Sequence, residues 1–173
     1  MKRTLIAALF SAAGFVAYTQ TLDLGQGWMS EFNHAAKQLL ALAEATPAEK
    51  FAWRPGPGVR STSEVYMHVV TGNYWLLGQA GVKLPAADAP KIDAKTETAV
   101  TAKADVVKWL KGSSGAVRDA YPNADRQKSV KFFGQNGPAD NVFLRILVHN
   151  HEHMGQLIGY ARMSGVVPPW SAK

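Results

Sequence analysis

The feature that most constrains the fold is a long periodic segment near the end of the chain, residues 139–164. Its apolar and weakly polar positions recur at alternating spacings of four and three, which places them on one face of a helix. These positions are Val142, Ile146, His149, His153, Gln156, Tyr160 and Met163. Pro138 suits the first turn of such a helix, and Gly165 followed by Pro168 suits its end. The segment therefore predicts a helix whose inward face carries two histidines.

Three further segments show helical periodicity, and stretches rich in glycine and proline separate them. The first covers residues 23–45, the second begins after Ser61, and the third covers roughly residues 95–120. The glycines and serines of residues 112–115 interrupt the third pattern, which predicts a kink or break there. A short extended piece is expected at residues 129–133. Together these segments predict an all-α fold, a four-helix bundle.

The second helix has a clear beginning and carries a third inward histidine. Ser61 and Glu64 have the spacing of a capping box, in which each side chain satisfies an early backbone N–H group. The inward stripe that follows is predicted to contain Val65, His68, Val69, Gly72, Trp75 and Leu76. His68 therefore occupies a position where an apolar residue is expected.

The first residues have the layout of a secretory signal peptide, which we assign to residues 1–19. Lys2 and Arg3 precede an apolar run that ends near Ala17 and is too short to span a membrane comfortably. The layout predicts an exported protein, periplasmic or secreted, without stable membrane insertion after cleavage. An uncleaved N-terminal anchor is the alternative. The remaining residues, 20–173, are enough for one domain with a buried core.

Composition narrows the chemistry further. The formal charge of +6 is spread along the chain without a basic block, so we expect no nucleic-acid binding. No cysteine is present, which excludes disulfides and thiolate ligands and leaves histidines and carboxylates to bind any metal. No motif of a covalent serine hydrolase or a nucleotide-binding loop occurs.

The spacing of the histidines indicates a metal site. His149 and His153 stand one turn apart and differ by about 40° around the helix axis, so both imidazoles can reach one ion. With His68 from the second helix, three neutral imidazoles would suit zinc or nickel. The alternative is that each is an ordinary core histidine. His34 and His151 lie off the inward faces and are not included in the site.

Residues 149–153 also match the H-x-x-E-H pattern of inverted zinc peptidases, in which a glutamate acts as general base. Such a short pattern arises easily by chance in a histidine-rich stretch. We therefore interpret Glu152 as a surface carboxylate or one that contacts a metal ligand indirectly.

The chain after residue 19 resembles the DinB-like superfamily of metal-binding four-helix bundles. The block from His149 to Trp170 is similar to the family's closing helix, in which a histidine just before a Gly-Gln pair and another four residues earlier bind metal. The segment from Ser61 to His68 is similar to the family's second helix, which supplies the remaining ligand, and residues 53–55 also match. The resemblance implies a bound divalent ion held by His68, His149 and His153.

The family's characterised members include thiol-dependent transferases and isomerases. The resemblance thus implies a metal-dependent hydrolase or thiol transferase acting on an unidentified small molecule. Gln156 and Tyr160 lie on the same inward stripe as His149 and His153, which makes them candidates for hydrogen bonds to the substrate or near the ion, with simple packing as the alternative. Two alternatives stay open: a non-catalytic protein that binds metal or a small ligand, and a stress-associated interaction module that forms a homodimer.

Overall fold

A computed structural model describes residues 24–84 and 95–171 of the chain. Its helices are α1 (Trp28–Ala45), α2 (Thr62–Gln79), α3 (Thr96–Ala99), α4 (Lys103–Asn123) and α5 (Ala139–Met163). A hairpin of two strands, β1 (Ser129–Phe132) and β2 (Gln135–Pro138), lies between α4 and α5, and single 3₁₀ turns cover Ala48–Lys50 and Pro169–Ser171. The predicted signal peptide, residues 1–19, lies outside the described residues.

The four long helices form a bundle. α2 packs against α4 and α5, and α1 packs against the same two helices. The described residues are therefore mostly helical, as predicted, with the hairpin as the exception. No helix in residues 24–84 or 95–171 is both long enough and apolar enough to cross a membrane.

Two apolar clusters fill the bundle, and polar side chains lie between them along α5. The side chains of α5 that pack in one cluster end at Leu147, and those that pack in the other begin at Met154. We call the intervening side chains, with their neighbours on α2 and α4, the polar layer. It consists of His68, Asn73, Ser113, His149, Asn150 and His153.

An amide pair joins the helices within the polar layer. The Asn150 amide nitrogen donates to the Asn73 side-chain oxygen at 2.7 Å and to the Ile146 carbonyl at 2.8 Å, and both asparagines are fully buried. Asn73 in turn donates to the Ser113 hydroxyl at 3.4 Å. The pair links α2 to α5 and extends to α4.

The second predicted helix begins as expected, although one inward position is wrong. The Glu64 backbone N–H donates to the Ser61 hydroxyl and the Ser61 backbone N–H donates to the Glu64 carboxylate, which confirms the capping box. Trp75, however, is 50% exposed, and its ring centroid lies 6.2 Å from that of Phe132 and 6.0 Å from that of Phe133 in the hairpin. On the last helix, Met163 is likewise exposed rather than inward, since the helix ends there.

The predicted break at residues 112–115 is also wrong, because α4 runs through them without interruption. The third predicted helix, residues 95–120, instead divides near its beginning into α3 and α4. Ser113 and Ser114 are buried, and the Ser113 hydroxyl donates to the Leu110 carbonyl of the preceding turn. A Cβ atom at Gly112 would lie 3.3 Å from the Tyr74 hydroxyl. The small residues therefore allow α4 to approach α2 closely instead of ending the helix.

The extended piece predicted at residues 129–133 is confirmed as β1, and it pairs with a second strand that the sequence did not indicate. The strands are antiparallel, with Ser129 opposite Pro138 and Phe132 opposite Gln135. The two turn residues, Phe133 and Gly134, both have positive φ angles, which tight hairpin turns require. Pro138 then precedes the first residue of α5, and Gly165 with a φ of 81° follows its end.

Candidate metal centre

Three histidines from two helices meet in the polar layer. His68 comes from α2, whereas His149 and His153 stand one turn apart on α5. One ring nitrogen from each lies within 4.8 Å of the other two, and the Nε2 atoms of His68 and His149 are 3.2 Å apart. The structure thus brings together the three residues that the sequence singled out.

The donor set fits a divalent ion of the zinc type. Two imidazole nitrogens bound to one tetrahedral ion at the usual zinc–nitrogen length lie about 3.3 Å apart. The 3.2 Å between the Nε2 atoms of His68 and His149 is close to this value. Three imidazoles would also leave one position of a four-coordinate ion without a protein ligand.

The surroundings keep two of these imidazoles neutral, which is the form that binds a metal. Burial, together with smaller contributions from the neighbouring His153 and His68, lowers the pKa of His149 from 6.5 to about 4. Burial also lowers the pKa of His153 below its ordinary value. At neutral pH both rings therefore present a lone pair rather than a positive charge.

His149 depends on a glycine for its position. A Cβ atom on Gly72 would lie 2.3 Å from Cε1 and 2.9 Å from Nδ1 of the His149 ring. The ring therefore lies directly against the α2 backbone, where no larger residue leaves room for it. Its Nδ1 atom is buried and has no hydrogen-bond partner in the part of the chain that the structure describes.

His68 has a charged partner that sequence reasoning missed. Its Nδ1 atom lies 2.6 Å from Oε1 of Glu97 on α3, and the other Glu97 oxygen accepts from the Arg60 side chain at 3.1 Å. Burial alone would raise the pKa of Glu97, but the hydrogen bonds from His68 and Arg60 bring it below its ordinary value. The contact spans 29 residues, so no local spacing in the sequence indicates it.

His153 has a neutral partner, and both polar residues predicted near the site take part. The His153 Nδ1 atom lies 2.8 Å from the Gln156 side-chain oxygen, and the Gln156 amide donates to the Tyr160 hydroxyl at 3.0 Å. Tyr160 donates to the Arg60 carbonyl at 3.2 Å. Arg60 therefore connects the contacts behind His153 with those behind His68.

The remaining candidates lie outside the cluster. His151 bonds through Nδ1 to the carbonyl of Leu147 one turn earlier, and His34 is half-buried on α1. Glu152 is exposed and pairs with Arg145, as its interpretation as a surface carboxylate implies.

The structure also has a cleft of about 870 Å³ between the end of α2 and α4. Its lining includes Gly81, Lys83, Lys111 and Asp119, and none of the three histidines. Within the histidine cluster, His68, whose side chain is 25% exposed, and the partly buried His153 are in contact with solvent. The cleft and the histidine cluster are therefore separate features.

The fold and the cluster define a class: helical bundles with three converging histidines that can hold a divalent ion. The sequence profile of the DinB superfamily matches residues 31–157, and the chain belongs to that superfamily.

Two solved structures are similar to the chain. One is a DinB-like protein from Bacillus cereus, with 18% identity, a TM-score of 0.71, and coverage of 83% of this chain and 95% of the other. The second is the DinB-like protein YjoA from Bacillus subtilis, with 14% identity, a TM-score of 0.60, and coverage of 84% and 99%. Identities this low support the fold alone. A comparison with curated proteins finds no match.

Proposed function

We propose that this protein holds one divalent ion, zinc or nickel, through His68, His149 and His153 and uses it as a metal-dependent hydrolase or thiol transferase. The observation that carries the proposal is the convergence of three imidazole nitrogens within 4.8 Å. Because these ligands come from two packed helices, folding itself assembles the site.

An ion held by three histidines supplies Lewis acidity and lowers the pKa of a water or thiol in its open position. The protein contributes three imidazoles, held in place by the close contact of His149 with Gly72 and by the contacts of His68 with Glu97 and of His153 with Gln156. The Gln156 side chain contacts His153, and the Tyr160 hydroxyl contacts Gln156. In this proposal both groups also contact the substrate or the groups around it. The substrate in this proposal is an unidentified small molecule.

The metal site is tested by elemental analysis of protein purified without chelator or affinity metal. Wild type is expected to hold close to one ion per chain, and a His68→Ala, His149→Ala, His153→Ala variant to hold none. A His34→Ala, His151→Ala variant is the matched control, since it removes histidines outside the cluster and should keep the ion. Folded wild-type protein that neither retains nor takes up zinc, nickel or cobalt would overturn the proposal.

A non-catalytic metal-binding protein is the second candidate, because the cleft of about 870 Å³ lies away from the histidines. Cobalt-substituted protein separates the two functions, since the visible spectrum of cobalt reports its ligands. A spectrum that changes with added small thiols or with pH indicates an open position and supports the enzyme. A spectrum insensitive to both supports the binding protein.

We also propose that the protein is exported. Support comes from the basic residues Lys2 and Arg3, followed by a short apolar run. N-terminal sequencing of protein recovered outside the cytoplasm is expected to begin near Gln20. Recovery of the chain in the cytoplasm with its first residues intact would contradict export.

A further inference from the structure

We propose that Glu97 is a positioning residue for the metal site, which fixes the proton of His68 on Nδ1 and aims its Nε2 lone pair at the ion. This inference rests on the proposed metal-binding function, but part of its test needs no metal. Glu97 does not touch the other two histidines in any contact that the structure describes.

The geometry around Glu97 assigns a separate role to each of its oxygens. Oε1 accepts from His68 Nδ1 at 2.6 Å and from the Thr71 hydroxyl at 3.3 Å. Oε2 accepts from Arg60 Nε at 3.1 Å. Arg60 thus fixes one oxygen of the carboxylate, and the Thr71 hydroxyl, one turn after His68 on α2, shares its proton between the other oxygen and the His68 carbonyl. A carboxylate fixed at both oxygens orients the imidazole that donates to it.

The bond determines which nitrogen of His68 can bind a metal. In a neutral imidazole one nitrogen carries the proton and the other carries the lone pair. A carboxylate accepts hydrogen bonds and donates none, so the nitrogen facing Glu97 must be the protonated one. The lone pair is then on Nε2, the atom that lies 3.2 Å from His149 Nε2 in the cluster.

The three histidines differ in the group that faces their Nδ1 atom. His68 faces a carboxylate, His153 faces the neutral amide oxygen of Gln156, and His149 Nδ1 has no partner among the described residues. Hydrogen bonds to charged acceptors are stronger than those to neutral ones, so Glu97 contributes most to orienting a ligand. The short helix α3 buries no side chain, so burial contributes little to holding it against α2.

The first measurement determines the tautomer of His68 in metal-free protein from long-range proton–nitrogen NMR correlations. Wild type is expected to carry the His68 proton on Nδ1. In Glu97→Ala, where the acceptor is missing, we expect the Nε2-protonated form to increase markedly. An unfolded chain would also favour the Nε2-protonated form, so the comparison uses Glu97→Ala protein whose amide NMR spectrum shows the wild-type fold. Wild-type His68 protonated mainly on Nε2, or a Glu97→Ala variant with an unchanged tautomer, would overturn the inference.

The second measurement is zinc affinity by competition with a chromogenic chelator. Removing the partner of a ligating histidine costs about 10–100-fold in metal affinity, and we expect that loss in Glu97→Ala. Glu97→Gln, which preserves size and a neutral acceptor, should lose less and guards against misfolding of the alanine variant. Glu152→Gln is the matched control, because it removes an equal charge next to His153 without touching a ligand, and it should stay within about three-fold of wild type.

The outcomes separate this inference from the proposed function. Wild type that binds zinc while Glu97→Ala binds equally well would overturn the positioning role alone. Wild type that binds no zinc, although it is folded, would overturn both. Weaker binding in Glu97→Ala with a changed tautomer and a normal Glu152→Gln control would support both.

Discussion

The aromatic cluster at one end of the bundle differs from the polar layer in its middle in how well its side chains are packed and bonded. The cluster consists of Trp28, Phe32, Tyr121 and Phe143. Trp28 stacks on Phe32 and on Tyr121, with ring centroids 5.1 and 3.9 Å apart, and its indole N–H donates to the Phe143 carbonyl at 3.0 Å. In the polar layer, by contrast, two imidazoles have lowered pKa values and His149 leaves a buried nitrogen without a partner. Close apolar packing stabilises the fold, whereas buried polar groups reduce stability unless they are fully bonded. The comparison teaches that stability and metal binding can be changed separately.

The largest expected effect comes from the aromatic cluster. Phe143→Ala removes a fully buried ring that contacts Trp28 and Tyr121, and should lower the free energy of unfolding by about 3–5 kcal/mol. Zinc affinity of the folded protein should remain that of wild type. Leu144→Ala, at a neighbouring position that is 55% exposed, is the control and should change stability little. Urea unfolding measures the stability of both variants. A loss of zinc affinity in Phe143→Ala that matches its loss of stability would contradict the idea that the two properties can be changed separately.

In the polar layer, Gly72→Ala should affect both properties. The new Cβ atom would overlap the His149 ring, so either the ring or α2 must move. Overpacking of this kind costs about 1–3 kcal/mol, and displacement of a ligand should weaken zinc binding at least ten-fold. Gly78→Ala on the same helix, with nothing within 4 Å of the new atom, is the control. Wild-type zinc affinity in Gly72→Ala would show that the close contact does not position His149.

The metal-free protein should lose stability as the pH falls. The folded-state pKa of His149, about 4, lies below its ordinary value of 6.5, so between these pH values the unfolded chain binds the proton that the folded one excludes. Stability is therefore full above pH 6.5 and is reduced by on the order of 2 kcal/mol at pH 5. Urea midpoints measured in chelator from pH 7.5 to 4.5 test this slope. In His149→Leu the slope should flatten, and an equal slope in both proteins would assign it to other groups.

The smallest expected change in stability comes from Gln156→Ala. This substitution removes the partner of His153 at a site that is partly open to solvent, so the free energy of unfolding should fall by less than about 1 kcal/mol. Zinc affinity should nevertheless fall by roughly ten-fold, since His153 loses the group that orients it. Calorimetric titration with zinc measures the effect. A loss of stability without loss of affinity would give Gln156 a packing role instead.

Sequence reasoning succeeded where the signal is local. Spacings of three to four residues predict the four long helices and the Ser61 capping box. The glycine followed by proline predicts the end of α5. The same periodicity placed His68, His149 and His153 on inward faces, and the structure brings them together.

Sequence reasoning failed where a distant contact overrides a local preference. Gly112 and Ser113 weaken an isolated helix, but in the bundle their small size lets α4 lie close to α2. Trp75 fits the inward stripe of α2, yet the hairpin gives it another surface to pack against. Glu97 was missed for the same reason, because only the folded chain brings α3 beside His68.

The amide pair of Asn73 and Asn150 has a further consequence for the alignment of the bundle. Two apolar helices can slide along each other by one turn at little cost, whereas a buried amide finds its partner in one alignment and loses it in every other. Because Asn150 follows His149 directly, the alignment that joins the amides is also the one that brings His149 to His68. Leucine at both positions should therefore raise the melting temperature while broadening the methyl NMR signals of α5. The two buried asparagines thus lower the stability of the bundle but select a single alignment of α2 and α5.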